Sequence, residues 1–346
     1  MITLQVVKVL IVSIISFLFA FIFSPLIYKL LISIKAGKKI RSKEEAPIMA
    51  SLHEKKAGTP TMAGVLIWGT VAILSLFLFV MDFFFDGFWG YMNFISRPET
   101  YLPLTAMIIA GLLGLLDDFI GVFKIKNSSG LKIKHKLIAY LFLGIIGASW
   151  FYFRLDWDTL MVPFIGNITV GWLYIPIFIF VIIATTFSAN ETDGLDGLLG
   201  GTVLFGYIAL TIVSFALGKY NLATFGGAII GALLAFLWFN IYPAKFMMGD
   251  TGSMSLGMTL GVIAMLTNTT LILPFFAFIF VLESASVIIQ VTSKKFRGKK
   301  VFLSAPIHHH FEALGWGETK VTMRFWIISA MTSTIGLIIF FLNRYL

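Results

Sequence analysis

Five of the seventeen acidic residues lie at the ends of long apolar segments, where a charge is costly to keep. They form an adjacent pair, Asp117 and Asp118, a pair three residues apart, Asp193 and Asp196, and a single aspartate, Asp250. An isolated charge at the centre of a bilayer costs about 2.5–3.5 kcal/mol, so such residues are rare without a function. Carboxylates gathered at one depth in a basic protein indicate a metal ion and a phosphorylated substrate.

The adjacent pair ends an apolar segment in the sequence GLLGLLDDFIG. Neighbouring residues of a helix point about 100° apart, so Asp117 and Asp118 cannot share one face. One carboxylate could bind a metal while the other faces a different group. The alternative is a pair solvated by headgroups and nearby lysines, although a helix C-terminus disfavours negative charge and two carboxylates there attract a cation.

A turn of sequence NETDGLDG begins at Asn190. Asp193 and Asp196 would share a face if the turn were helical. Gly194 and Gly197 allow a close approach of the backbone. The next helix begins here and offers free N–H groups to an anion. An N-capping turn would explain one aspartate, but not both of them together with Asn190.

Asn240 ends the seventh apolar segment, and Asp250 precedes the eighth in the sequence PAKFMMGDTGS. An N-cap is the simplest structural role for Asp250. A metal ligand is the alternative that we favour, because carboxylate oxygens together with substrate phosphate suit Mg²⁺.

Three consecutive histidines, His308, His309 and His310, lie in the last polar segment. They cannot all bind one metal from a regular helix or strand. They could form a loop turn with structural imidazoles, or one or two of them could bind phosphate or orient a catalytic carboxylate. Glu283, inside an apolar segment, is equally consistent with a buried hydrogen-bonding role and with a functional one.

The elements that must position these residues are membrane helices. The 346-residue chain is 58% hydrophobic and only 12% charged, with a mean hydropathy of +0.94, which indicates an all-α polytopic membrane protein with one integral domain, 1–346. The absence of cysteine excludes disulfides and thiolate metal sites. Ten apolar runs predict about ten transmembrane helices, near 4–34, 61–85, 100–121, 135–153, 172–189, 197–217, 221–240, 252–270, 271–292 and 321–344.

Lysine and arginine are concentrated in the odd-numbered loops, at 35–60, 122–134, 241–251 and 293–320. The positive-inside rule therefore predicts that both termini lie outside, and that the aspartates and histidines face the cytoplasm. A short surface hairpin is expected within 155–171, on the outside. The net charge of +9 is consistent both with anionic-lipid contact and with attraction of an anionic substrate. Nothing resembles a nucleic-acid-binding module.

Six motifs, in order, resemble the polyprenyl-phosphate N-acetylhexosamine-1-phosphate transferases. They are GTPTMAG at 58–64, LLDDFIG at 115–121, NETDGLDGL at 190–198, FNIYPAKFMMGDTGS at 239–253, ESASVIIQV at 283–291 and APIHHHFEALGW at 305–316. The first and last of these motifs are similar to the phospho-N-acetylmuramoyl-pentapeptide transferase branch (translocase I of peptidoglycan synthesis). The resemblance spans nearly the whole chain.

The resemblance implies that undecaprenyl phosphate attacks UDP-N-acetylmuramoyl-pentapeptide, giving lipid I and UMP, in a Mg²⁺-dependent homodimer of the bacterial cytoplasmic membrane. Asp250 would bind the metal. Asp117 would position the lipid phosphate or take its residual proton, with Asp118 beside it. His308 and His309 would contact the diphosphate or the sugar phosphate. Lys134 and Lys136 would contact phosphate. The residues expected to contact the nucleotide are Lys56, Asn190, Asp193, Asp196 and Asn240.

Two positions depart from the family pattern. Ala63 replaces the first glycine of the usual Gly-Gly, and Met247 occupies the place of an aromatic residue that resembles a stacking surface for uracil. Either Met247 packs on the base or the neighbouring Phe246 swings in.

Two other functions are alternatives for a chain of this kind. A transporter with a carboxylate proton relay predicts acidic residues near helix midpoints and inverted repeats, but only Glu283 is clearly mid-helix. A related enzyme that uses UDP-N-acetylglucosamine is the second, and the histidine segment argues against it.

Overall fold

The computed structural model describes residues 2–37, 58–85, 87–95, 98–123 and 130–345. Lys56, one of the predicted nucleotide contacts, lies outside them. The described chain is built mainly of helices, which we number α1 Ile2–Ser33, α2 Val65–Phe84, α3 Phe88–Met92, α4 Pro98–Phe123, α5 Ile133–Ser149, α6 Tyr174–Thr192, α7 Leu198–Ala216, α8 Tyr220–Asn240, α9 Gly249–Leu266, α10 Leu273–Phe276, α11 Phe278–Arg297, α12 Ile307–Ala313 and α13 Glu318–Tyr345.

Eight helical stretches of the described chain are long and apolar enough to cross a bilayer, which confirms a multi-pass membrane protein. They correspond to α1, α2, α4, α5, α6, α7, α8 and α13. The two remaining predicted spans correspond to α9 and α11, which are more polar. α9 is rich in Gly, Ser and Thr, and α11 contains Glu283 and ends with Lys294, Lys295 and Arg297. The total of about ten spans stays a prediction.

The centre of the fold is α9, in which every residue from Thr251 to Leu266 is buried. It packs against α4 and α6. Small residues permit these close contacts, as is usual between membrane helices. A Cβ atom at Gly257 would lie 2.6 Å from the carbonyl oxygen of Thr185 on α6, and one at Gly114 on α4 would overlap the backbone of Asp250. The burial of α9 explains why it does not need the apolar surface of a lipid-exposed span.

One apolar run folds differently from the prediction, and the structure contains two short helices that were not predicted. The run at 271–292 was expected to be one helix, but it is split into α10 and α11, because Ala277 between them has a non-helical backbone (φ −122°, ψ 38°). The short helices α3 and α12 were not predicted. The hairpin expected within 155–171 is confirmed as β1 Thr159–Val162 and β2 Gly166–Thr169, which are antiparallel.

The predicted site residues gather at one end of the bundle. This end contains the last turns of α4, α6 and α8, the first turns of α5, α7 and α9, and the short helix α12. The hairpin lies at the opposite end, where a backbone N–H of Met161 donates to Asn268 beyond the end of α9. Because consecutive helices alternate in direction, residues far apart in sequence come together at one polar face.

Candidate active site

Lys136 links two of the aspartates through its ammonium group. Its Nζ lies 2.6 Å from Oδ2 of Asp117 and also contacts Oδ2 of Asp250. Asp117 accepts a second hydrogen bond from the backbone N–H of Leu131. The other oxygen of Asp250 accepts from Nδ2 of Asn190 at 2.8 Å. One cation therefore offsets the repulsion between two carboxylates that come from α4 and α9.

Two other aspartates cap the N-terminus of α9. Asp118 accepts a hydrogen bond from the backbone N–H of Thr251 at 3.0 Å, and Asp193 accepts one from Gly249 at 3.0 Å. The first N–H groups of a helix lack partners within the helix and attract negative charge. Asp250 lies inside the first turn of α9. The N-cap residue of α9 is Met248, whose side chain makes no capping hydrogen bond. The simple N-cap role for Asp250 is therefore wrong, and its carboxylate is directed to Lys136 instead.

The adjacent pair diverges as the helical geometry predicts, since Asp117 meets Lys136 and Asp118 meets α9. Asp193 and Asp196 do not share a helical face, because α6 ends at Thr192 and α7 begins at Leu198. Their carboxylates diverge too, and Asp196 accepts from the backbone N–H of Ala244 at 3.0 Å. The turn thus sends one carboxylate to α9 and the other to the α8–α9 connection.

Asn240 joins the two connecting segments of the site. Its Oδ1 accepts from the N–H of Gly197 at 3.0 Å, and its Nδ2 donates to the carbonyl of Phe246 at 2.9 Å. The backbone N–H of Asp196 also donates to Glu318 at the start of α13, at 2.6 Å. These bonds hold the turn that begins at Asn190 against the segment that follows α8.

Phe246 belongs to the apolar core. Its ring lies 5.4 Å from that of Phe236 and 5.9 Å from that of Phe239, between ring centres. Such contacts add about 0.5–1.5 kcal/mol each beyond burial, so moving the ring out is costly. Met247 is also buried, and its backbone N–H donates to the carbonyl of Pro60 at 2.7 Å.

The three histidines lie on α12 with different partners. His308 Nδ1 lies 2.9 Å from Oε2 of Glu283, and His309 Nδ1 lies 2.7 Å from Oε2 of Glu312. His310 accepts from the backbone N–H of Leu303 at 3.2 Å. His308 and His309 are buried, with rings 4.1 Å apart. The three side chains therefore do not converge on one point, as expected for consecutive residues.

The pKa of His308 shows the balance of charge around it. Burial lowers the pKa of the imidazole, but the carboxylates of Glu283, Glu312 and Glu191 outweigh burial and raise it above the ordinary value. A cationic imidazolium is thereby favoured at a site that is expected to receive phosphate.

Gly194 brings the turn that begins at Asn190 against His308. A Cβ atom at this position would overlap Nε2 of the imidazole, which is buried and cannot move aside freely. We expect Gly194→Ala to displace His308 and to lower the turnover rate about 100-fold, the size of effect that a misplaced reacting group produces. Gly69→Ala is the matched control, because open space surrounds Gly69 within α2 and alanine favours a helix. Steady-state rates of both variants in vesicles test this, and equal rates would contradict the contact.

The structure brings together most of the predicted residues. Lys134 is the exception among the described ones. It lies in the first turn of α5 but is exposed, and it has no hydrogen bond or ion pair with a described residue. Glu318, Ser253 and Thr251 were not predicted from the sequence, and only the position of each at a helix start could have suggested them. Ser253 accepts a hydrogen bond from Asn190 at 3.1 Å.

The side chains of this site could supply some, but not all, of the oxygen ligands of a hard cation such as Mg²⁺. Among the residues that the structure describes, no three His, Asp or Glu side chains are grouped closely enough to hold a metal ion by themselves. Asp250 presents its carboxylate oxygens here, and one of them accepts a hydrogen bond from Nδ2 of Asn190. Mg²⁺ is usually bound by one or two carboxylates together with substrate phosphates and water, so a full protein cage is not needed.

Comparison with known proteins identifies the family of the chain. The family described as Glycosyl transferase family 4 matches residues 100–268. A phospho-N-acetylmuramoyl-pentapeptide-transferase of Geobacillus sp. (strain WCH70) is 39% identical over 332 residues, covering 94% of this chain and 96% of the relative. The proteins of that name from Bacillus pumilus (strain SAFR-032) and Bacillus subtilis (strain 168) are 36% and 37% identical, covering 94% and 93% of this chain and 96% and 95% of the relatives. The chain therefore belongs to the phospho-N-acetylmuramoyl-pentapeptide transferase family.

Proposed function

We propose that the chain transfers phospho-N-acetylmuramoyl-pentapeptide from its UDP-linked donor to undecaprenyl phosphate, and so produces lipid I and UMP for peptidoglycan synthesis. The observation that carries the proposal is the bridge from Asp117 through Lys136 to Asp250 at the polar end of a membrane helix bundle. A cation held between carboxylates at this depth can meet the phosphate of a lipid and the diphosphate of a soluble nucleotide together.

The reaction exchanges one phosphoanhydride bond for another. An oxygen of the lipid phosphate attacks the β-phosphorus of the donor, and the bond from that phosphorus to the oxygen bridging the α-phosphate breaks. UMP leaves with the bridging oxygen, and the lipid then carries the sugar through a diphosphate. The second pKa of a phosphomonoester is about 6, so the nucleophile is already largely ionised at neutral pH. Asp117 therefore orients the lipid phosphate, or accepts its remaining proton, rather than acting as a strong base.

The main task of the protein is to hold two anions together. Lys136 offsets their charge from α5, and His308, as an imidazolium, offsets it from α12. Asp118 contributes indirectly, because it holds the first turn of α9 and with it the position of Asp250. His309 is a second contact for the donor phosphates.

The uridine part of the donor is assigned to the turn that begins at Asn190 and to the segment that follows α8. Asp193, Asp196 and Asn240 present their polar groups there. Since Phe246 is packed between two other rings, we assign the contact with uracil to Met247.

Mg²⁺ fits this site as a cofactor. Asp250, whose carboxylate is oriented by Nδ2 of Asn190, would hold it, with the donor phosphates and water as further ligands. When bound, the ion would neutralise charge on the diphosphate. Lys136 already contacts the same carboxylate, which supports the affinity of this position for a cation.

The placement in the membrane is also part of the proposal. We place about ten spans, with both termini outside, in the cytoplasmic membrane of a bacterium, as one integral domain with its site facing the cytoplasm. The described basic residues support this orientation, since those at the end that holds the site outnumber those at the hairpin end. The residues at the site end include Lys35, Lys132, Lys134, Lys136, Lys245, Lys294, Lys295, Arg297, Lys299, Lys300 and Lys320. A homodimer follows from the family resemblance, and cross-linking in vesicles would test it.

Donor selectivity tests the proposed function. Vesicles containing the purified protein and undecaprenyl phosphate would be incubated with labelled UDP-N-acetylmuramoyl-pentapeptide or with labelled UDP-N-acetylglucosamine. We expect lipid-linked label from the first donor at a rate at least about 100-fold above the second, a ratio that polar contacts in a binding site can provide. Preference for the second donor would identify the related enzyme, and proton flux without any lipid product would identify a transporter.

A further inference from the structure

Helix α11 has an unusual distribution of polar residues. Its buried positions include Glu283, Ser286, Gln290 and Ser293, which are separated by three or four residues and therefore share one face. Apolar residues occupy exposed positions on the remaining surface, where Ile288, Ile289 and Val291 are 61%, 46% and 59% exposed. In a membrane helix whose polar residues face inward and whose apolar residues face outward, the polar residues contact another part of the protein.

The partner of this polar stripe is the segment that leads into α12. Gln290 accepts hydrogen bonds from the backbone N–H groups of Val301 and Phe302, each at 3.0 Å, and donates to the carbonyl of Phe302 at 2.8 Å. Ser293 donates to the carbonyl of Lys299 at 2.9 Å. The stripe thus fixes the backbone just before the histidines. Two turns before Gln290, the same face presents Glu283.

Glu283 is fully buried, and its Oε2 lies 2.9 Å from Nδ1 of His308, which is 1% exposed. A buried carboxylate is costly unless it is paired, so this arrangement is not expected without a function. Because a carboxylate only accepts, Nδ1 of the imidazole must carry the proton. The orientation of the ring is thereby fixed, and Nε2 points to the opposite side.

Two atoms of this pair remain without a partner among the described residues. They are Oε1 of Glu283 and Nε2 of His308, and both are buried. An unpaired buried polar group costs about 1–3 kcal/mol, which a ligand would relieve. Nε2 lies against Gly194, so close that a Cβ atom there would overlap it. The unpaired nitrogen is therefore next to the turn that also carries Asp193 and Asp196.

We propose that Glu283 is a positioning residue, which holds His308 so that its Nε2–H donates to an anionic oxygen of the donor substrate. The inference rests on the proposed function, because it assigns that oxygen to the donor diphosphate. It adds a role for a carboxylate that does not itself touch the substrate. The raised pKa of His308 is consistent with this role, since it favours the protonated ring.

A double-mutant cycle tests whether Glu283 acts through His308. Glu283→Gln retains an acceptor for Nδ1 but removes the charge. We expect this variant to lower kcat about 10- to 100-fold, the usual effect of losing a partner that orients a functional histidine. The alkaline limb of the pH profile should move to lower pH, because the imidazolium loses its counter-ion. In a His308→Gln background the same substitution should cost less than about threefold, since residues that act as a unit are non-additive. The inference is overturned if the rate losses of the two single variants multiply in the double variant. It is also overturned if the alkaline limb of Glu283→Gln coincides with that of the parent.

Two further variants separate positioning from folding. Ser286→Ala lies on the same buried face and removes only a hydrogen bond to the backbone of Glu283, so its rate should stay within about twofold of the parent. If Glu283→Gln does not fold, Glu283→Asp is used instead, because it keeps the negative charge on a side chain that is one methylene shorter. The alkaline limb of its pH profile should remain near that of the parent. A limb that shifts in Glu283→Asp contradicts the role of the charge.

The inference can fail separately from the proposed function. If the parent protein releases no UMP, the proposed function is wrong. The Glu283–His308 pair is then measured by ¹⁵N-histidine NMR, with the His308 resonance assigned by its loss in His308→Gln. Glu283→Gln must lower the titration midpoint of that resonance, and an unchanged midpoint would overturn the inference.

Discussion

Replacing Asp250 with asparagine should lower the rate of UMP release at least about 1000-fold, which corresponds to roughly 4 kcal/mol of lost transition-state stabilisation. Asparagine keeps an oxygen that can accept the hydrogen bond from Asn190, but it removes the charge that faces Lys136. It also removes the carboxylate to which we assign Mg²⁺. The rate would be measured in vesicles at saturating donor over a range of Mg²⁺ concentrations, and added Mg²⁺ should not restore it.

Asp156→Asn provides the matched control for Asp250→Asn. Asp156 is exposed near the hairpin, at the opposite end of the bundle, and its φ of 53° suits asparagine. The control should retain the full rate. Full activity in Asp250→Asn, or restoration of its rate by Mg²⁺ at the same concentration that the parent requires, would contradict the assignment of the metal.

Replacing Lys136 with glutamine should lower the rate at least about 100-fold and should also destabilise the protein. Its ammonium lies between Asp117 and Asp250. Removal of one partner from this partly buried ionic cluster leaves the remaining charges unpaired, and it costs up to about 3–5 kcal/mol, the value for a fully buried pair. The substrates would also lose a cation that offsets their phosphates. Rates and thermal midpoints of Lys136→Gln, measured in the same detergent, test both effects.

Lys132→Gln is the control for Lys136→Gln, because Lys132 is exposed just before α5. It removes the same charge from an exposed side chain that has no ion pair with a described carboxylate, and it should change neither the rate nor the thermal midpoint appreciably. Lys136→Arg tests the requirement for geometry, because arginine keeps the charge in a planar group. If Lys136→Gln and Lys132→Gln behave alike, Lys136 is not part of the site.

The sequence predicted which residues lie in the polar layer, but not which of them are partners. Hydropathy and the Lys/Arg distribution depend on local composition, so the helices and the gathering of the aspartates were predictable. Asp117 and Asp250 are bridged by Lys136 although they are far apart along the chain. Such pairings depend on how α4, α5 and α9 pack, which no local pattern specifies. The divergence of Asp117 and Asp118 was predictable, because the geometry of one helix decides it.

The histidine segment shows the same limit. Its residue types indicated phosphate chemistry, and three consecutive histidines could be expected not to converge. The helical form of α12 and the pairing of His308 with Glu283 were not predictable, because both depend on the buried polar face of α11. Glu283 was expected to be either a buried hydrogen-bonding residue or a functional one, and its partner was not predicted. The break between α10 and α11 was missed because residues 271–282 are continuously apolar in composition.

The fate of the donor's β-phosphate tests the central claim most directly. The purified protein, in vesicles with undecaprenyl phosphate, would be given UDP-N-acetylmuramoyl-pentapeptide labelled with ³²P at the β-phosphate. Transfer of the phospho-sugar predicts that the label moves entirely to the lipid and that the released nucleotide is unlabelled UMP, with neither product formed by Asp250→Asn. Label that is released as UDP would mean that the sugar–phosphate bond is broken instead, and that result would contradict the proposed reaction.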